Sequence, residues 1–298
     1  MSSARRLGIL LALLSAASFG VMPVLTKIVY DDGADTFGVL SVRFTLASSA
    51  LFVLALVRRE AFARGKVLLG LVLLGGVGYT VESLCYFAAL ERISAGLTAL
   101  LLYLYPALVV VLSAVFLRHR PGRVAVACVA LSLVGTGLTI GPVGGGQGTG
   151  VLLGVSAAVA YATYIVISSR VTRGLAPFAT SAVVTGACGV AYDSLALSRG
   201  AHLPTHAGPW LALLGVALFG TVVAIAAFFA ALALLGPGDT AVVSTVEPVV
   251  SVAAAAAFLG ETLSGVQLAG GALVIGAVVV LARQPSARGE AAQDLLVE

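Results

Sequence analysis

Charge is the scarcest property of this chain. Only ten per cent of its 298 residues are Asp, Glu, Lys or Arg, while sixty per cent are apolar and the mean hydropathy is +1.10. One soluble core of this length is buried with far less apolar surface, so a soluble domain is excluded. Lysine is rarer still. Its two positions, Lys27 and Lys66, offer no phosphate-binding loop, because Arg64–Val67 lacks both the upstream Gly and the following Ser or Thr. ATP hydrolysis is excluded with it. Cys85, Cys128 and Cys188 lie in three separate apolar segments without metal spacing and read as small packing residues. His202 and His206 have Pro204 between them and no third ligand, which points to a loop surface. No basic stripe with interleaved aromatics exists, so nucleic acid is not a partner. No Gly-x-Ser-x-Gly elbow is present either.

Apolar runs fill the space left by these absences. Ten segments are long enough to cross a bilayer: 7–30, 36–57, 67–90, 94–117, 123–140, 150–170, 177–197, 208–235, 239–259 and 265–282. Backbone amides in lipid are satisfied only within each segment, so these are helices. The fold class is all-α membrane, with ten transmembrane helices and no room for a soluble domain. Arg5, Arg6 and the run Leu7–Leu14 imitate a signal peptide, but the apolar stretch continues to Tyr30. A retained helix is expected.

The chain also contains itself twice. Residues 78–119 lie over 220–261 at a constant offset of 142, with fourteen identities in forty-two positions. Pro106 falls on Pro248, Phe87–Leu90 on Phe229–Leu232, and Phe116-Leu117 on Phe258-Leu259. Gly8 falls on Gly150 at the same offset. The expected organisation is a first repeat over 1–140, a Gly-rich external loop over 141–149, a second repeat over 150–282 and a cytoplasmic tail over 283–298. Duplicated halves in a membrane chain are a signature of transporters that bind substrate between the halves.

Lys and Arg stay on the cytoplasmic side. An N-terminus inside puts thirteen of them there, among them Arg58, Arg118, Arg120, Arg123, Arg170, Arg173 and Arg288, and leaves only Lys27, Arg92 and Arg199 near the other face. Both termini are then cytoplasmic, in a plasma (inner) membrane. Five helices per half is an odd number, so the second copy crosses in the opposite sense. Loop charges agree: Arg118, Arg120 and Arg123 follow helix 4, whereas the aligned Gly260–Gly265 carries Glu261. An inverted-topology repeat is the expectation.

Gly238–Ala241, Val246–Val249 and Phe258–Glu261 in the second half, with Val42–Leu46 and Phe87–Leu90 in the first, resemble the ten-helix members of the drug/metabolite transporter superfamily with two EamA-type repeats. The first half departs at Leu117–Arg120, where that family often has Leu-Gly-Glu. The resemblance covers residues 7–282. It implies secondary transport of small metabolites, often efflux, without fixing a substrate.

Ionisable groups held inside a membrane are costly and mark chemistry. Arg43 and Glu82 lie at a similar depth, about 12–14 Å from the outer face at 1.5 Å per residue, and are expected to face each other and pair. That pair either braces helices 2 and 3 or touches substrate. Glu247 has no cation at its depth and suits a proton carrier or an anchor for a substrate amine; the structural alternative is capping by Ser244 or Thr245. Pro248 beside it removes a backbone donor and loosens the helix. Its repeat mate is Tyr105, so the halves are not chemically equivalent. Asp193 is expected to reach water, and Lys27 to snorkel to the surface. Tyr79, Tyr86, Tyr103, Tyr105, Tyr161, Tyr164, Phe228 and Phe229 are candidates to line an amphipathic cavity, packing between helices being the commoner use of such rings. Ala272 and Gly276 have the spacing of a close helix contact.

Gly236–Asp239, Tyr192-Asp193 and Pro106–Leu108 imitate the motifs of intramembrane aspartyl proteases, in the wrong order and on opposite membrane faces. Such carboxylates cannot share a proton. An enzyme is not expected, nor any cofactor or metal. The expected function is secondary transport, most simply export of small metabolites or amino-acid-like compounds by alternating access, with protons as an open coupling ion. An uncoupled carrier and a non-transporting membrane scaffold are the alternatives. The partners are a small-molecule substrate and the lipid bilayer, and a homodimer is compatible.

Overall fold

The computed structural model describes residues 3–116, 122–140 and 147–283. Residues 141–146 of the expected Gly-rich loop over 141–149, the tail beyond Arg283, and the charges Arg118, Arg120 and Arg288 lie outside them. Every regular element among the described residues is helical: α1 Ser3–Asp31, α2 Thr36–Val57, α3 Gly65–Leu73, α4 Thr80–Leu90, α5 Ala95–Leu102, α6 Tyr105–Phe116, α7 Arg123–Ile140, α8 Gly148–Val171, α9 Pro177–Arg199, α10 Ala207–Ala217, α11 Ala224–Ser244, α12 Val246–Leu259 and α13 Gly265–Ala282. A π-helical stretch, Leu74–Tyr79, joins α3 to α4, and a second, Leu218–Val223, joins α10 to α11.

Eight continuous or composite helical spans are long and apolar enough to cross a membrane. Of the other two expected segments, α7 is apolar over a shorter length, Arg123–Thr139. The other, α9, is diluted by Thr180, Ser181, Thr185, Tyr192 and Asp193, which serve a cavity and neighbouring helices. The outer surface is apolar as well: Leu197, Phe258 and Val57 are 87, 75 and 74% exposed. Such a belt is stable against lipid and not against water. The chain is a multi-pass membrane protein.

Helix ends are defined by local chemistry. Asp35 caps α2 at the Gly38 amide (2.7 Å), Ser94 caps α5 at Leu97, and Ser264 with Gln267 forms a capping box on α13. Pro177 opens α9, while Gly200 and Gly260, both at positive φ, close α9 and α12. Three carboxylates cap helices from a distance. Glu60 accepts from the Ala179 amide, Glu91 from Thr36, and Glu261 from Ala95 and Gly96 (2.8 and 3.1 Å).

The two halves of the chain interlock. The most extensive contacts pair α2 with α9, α1 with α11, α7 with α13 and α4 with α8. Buried Ala12 and Ala16 keep α1 close to its neighbours, so it packs as part of the bundle. At the α7–α13 crossing, a Cβ on Gly135 would sit 2.7 Å from the Gly270 carbonyl oxygen. This is a tight small-residue contact. The expected one is not formed: Ala272 is exposed and nothing lies within 4 Å of a Cβ on Gly276.

Candidate functional site

Two prolines interrupt the helices that reach the centre. Pro106 and Pro248 lack an N–H, so the carbonyls four residues earlier, on Leu102 and Ser244, lose their helical donors. The chain breaks at Tyr103-Leu104 and at Thr245. Tyr103 and Thr245 stand 142 apart and share one conformation, φ −67°, ψ 3° against φ −65°, ψ −7°. Into the second break reaches the Tyr103 hydroxyl, 2.9 Å from the freed Ser244 carbonyl and 3.1 Å from Glu247 Oε2.

A cavity of about 100 Å3 lies beside this contact. Arg43 from α2, Glu82 from α4, Tyr105 from α6 and Glu247 from α12 all line it, together with Phe19 and Met22 from α1 and Tyr161 from α8. Four positions scattered over more than two hundred residues of sequence thus meet in one place. A larger cavity, about 400 Å3, adjoins it and shares Phe19, Tyr79 and Tyr161. Its wall combines the hydroxyls of Ser168, Thr172, Thr180, Ser181 and Thr185 with the side chains of Tyr164, Ile225, Phe228 and Phe229. It extends to the turn between α8 and α9, where Leu175 and Pro177 line it.

The expected Arg43–Glu82 pair is not formed: no ion pair joins them among the described residues. Arg43 instead donates from Nε to the Thr221 hydroxyl at 3.0 Å, with the Phe44 and Phe87 ring centres 4.8 and 5.0 Å from its guanidinium carbon. Thr221 belongs to the second π-helical stretch, and its own proton goes to the Val216 carbonyl five residues back at 3.1 Å. The extra residue of a π turn makes that bond possible. Sequence reasoning missed Thr221 because a threonine in an apolar helix is unremarkable. Its one signal was the offset of 142 from Tyr79, which lines the cavity. The structural alternative for Glu247, capping by Ser244 or Thr245, is not formed; the hydrogen bond comes from Tyr103.

All eight aromatic candidates line one cavity or the other. Tyr103, Tyr105, Tyr161, Tyr164, Tyr79 and Phe44 form a chain with successive ring centres 4.7–6.2 Å apart. Stacked and edge-on rings at such separations hold one another in place. Asp193 is half-buried, accepting from the hydroxyls of Ser41 and Thr45 on α2, and Lys27 is half-buried in α1. Among the described residues no group of three or more His, Cys, Asp or Glu is placed to hold a metal.

Two loop histidines meet aspartates. His206 Nδ1 lies 2.5 Å from Asp32, which also accepts from the amides of Thr205 and His206, and His202 Nδ1 lies 3.3 Å from Asp35. The His206 hydrogen bond, with the two amides, outweighs burial and lowers the Asp32 carboxyl to about 2.

The EamA-like transporter family matches residues 6–141 and again 148–283. An uncharacterized transporter of Archaeoglobus fulgidus is 27% identical over 276 residues, covering 91% of this chain and 94% of that one. An uncharacterized transporter of Synechocystis sp. is 25% identical over 211 residues, covering 65% of this chain and 61% of that one. A protein crystal structure superposes with a TM-score of 0.64 at 22% identity, covering 92% of this chain and 96% of its own; this likeness concerns the fold alone.

Proposed function

The chain belongs to the EamA-like transporter family, and on that premise we propose that it is a secondary active transporter exporting small metabolites or amino-acid-like compounds across the plasma membrane. The observation that carries the reading is the convergence of Arg43, Glu82, Tyr105 and Glu247, from both halves of the chain, on one internal cavity. A membrane scaffold has no use for such a charged, aromatic-lined interior. The reading takes α7 and α9 as crossings beside the eight apolar spans, making ten in two inverted repeats of five over 1–140 and 150–282. Support comes from the paired helix breaks 142 residues apart, the two π-helical stretches and the exchanged loop charges.

Excess Lys and Arg favour cytoplasmic termini. The larger cavity then reaches the cytoplasmic face, beside the exposed Arg170 and Arg173, in an inward-open conformation. Alternating access needs the site to open outward in turn. Glu247 is the leading coupling group, because a carboxylate at the break between α11 and α12 is reachable from the cavity.

The test uses the full chain in proteoliposomes offered a uniformly labelled mixture of cell metabolites, read by mass spectrometry. Selected solutes should accumulate several-fold when a pH gradient is imposed. Glu247→Gln should remove the response to the gradient while leaving exchange at equilibrium. Wild-type accumulation indifferent to the gradient would reduce the protein to an uncoupled carrier.

A further inference from the structure

Opposite charges buried side by side ordinarily close on each other, and Arg43 and Glu82 do not. They are 2 and 6% exposed and line one cavity of about 100 Å3. Arg43 is drawn off by Thr221, whose proton is committed to Val216 and whose lone pairs are therefore left for the guanidinium. Phe44 and Phe87 hold that position by flanking the cation. Arg43 forms no ion pair among the described residues, and Glu82 receives neither a hydrogen bond nor an ion pair among them. Glu247, in the same cavity, already has its donor in Tyr103. A desolvated carboxylate without a donor beside a guanidinium without an anion is expensive, and a membrane interior keeps such charges where something else completes them.

A cation alone would satisfy Glu82 and leave Arg43 without an anion; an anion alone would do the reverse. We propose that Arg43 and Glu82 are a split charge pair completed by a zwitterionic substrate, its acid group on Arg43 and its ammonium on Glu82. Room for only a small head group exists in the inner cavity. The neutral body of the substrate passes between Phe19, Tyr79 and Tyr161 into the larger cavity, whose rings and hydroxyls accept an aliphatic or aromatic body. Thr221 is a positioning residue: it touches no substrate but keeps the pair apart. This inference rests on the transporter reading and names its substrate class.

Binding to the purified full chain in nanodiscs tests it with two sets of matched probes. One set is leucine, isopentylamine and 4-methylpentanoate; the other is phenylalanine, phenethylamine and 3-phenylpropionate. Within at least one set the zwitterion should bind about tenfold or more tighter than both single-charge analogues, since each charge-assisted contact it adds is worth that much. Glu82→Gln should erase the advantage over the acid, and Arg43→Gln the advantage over the amine. Thr221→Val should let Arg43 close on Glu82 and weaken the zwitterion about tenfold; Thr221→Ser should restore it. A purely structural role for Thr221 would move stability without moving the ratio of zwitterion to amine.

If a variant fails to fold, the wild-type ratios still decide. An amine or acid binding as tightly as its zwitterion in both sets overturns the proposal, and so does binding of no probe at millimolar concentration. Exchange in proteoliposomes separates this failure from that of the transporter reading. Isopentylamine exchanged in preference to leucine would keep the transporter and discard the zwitterion; leucine bound and never exchanged would do the opposite.

Discussion

Arg43, Glu82, Tyr105 and Glu247 were legible one by one, because a charge inside an apolar run, or its uncharged repeat mate, needs a reason. Their relationships were not. Whether Arg43 meets Glu82 or Thr221 depends on which way two helices turn about their axes, and sequence depth alone carries no rotation. A second pair of residues, in the loops, shows the same limit. The spacing of His206 marks a loop and carries no sign of Asp32, 174 residues away. The Asp32 carboxyl, held at about 2 by His206 and two amides, has a folded value below its unfolded value of about 3.9. Its contribution to stability is therefore complete above pH 4 and lost as the pH falls toward 2. Asp32→Asn should lower the melting temperature at pH 7, and the gap from wild type should narrow between pH 4 and pH 2. An equal gap at both ends would deny Asp32 that role.

Among the elements, apolar length located the helices well, since lipid allows no other way to satisfy the backbone. Interruptions were half visible. Pro106 and Pro248 announced the breaks, whereas neither π-helical stretch has a sequence mark, because a π turn answers to packing rather than periodicity. Packing explains the first one. Gly75 lets the backbone touch α9, where any Cβ would collide with the Val184 carbonyl oxygen, and its own carbonyl accepts from Thr80 and Cys188. Backbone cannot step aside as a side chain can. Gly75→Ala should cost about 1–3 kcal/mol, read as a lower unfolding temperature in detergent, together with loss of transport. Gly76→Ala, with only contacts near 4 Å, is the control and should be mild.

For the whole molecule, the family, the double match and the membrane setting were all readable from composition and the internal copy. The interlocking of the halves was not, since it depends on contacts between segments far apart in sequence. The orientation proposed from the charges is open to direct measurement. Single cysteines placed at exposed Arg173 and exposed Arg199, in a background lacking Cys85, Cys128 and Cys188, should label from opposite sides of sealed cells. A membrane-impermeant maleimide should reach position 199 from outside and position 173 only after lysis. The reverse pattern would turn the molecule over.

One hydroxyl has a reach beyond its size. Tyr103 sits in the break of one helix and bonds across to the break of another, touching a carbonyl and a carboxylate together. Two levers thus share a single pin. Any tilt of α5 against α12 must stretch or release it, at about 1–3 kcal/mol for the groups left unpaired. That is the same size as the energies by which distant sites ordinarily influence each other. A change in the hydrogen bond at the Glu247 carboxylate and a change in the angle between two half-helices are therefore one event, seen in two places.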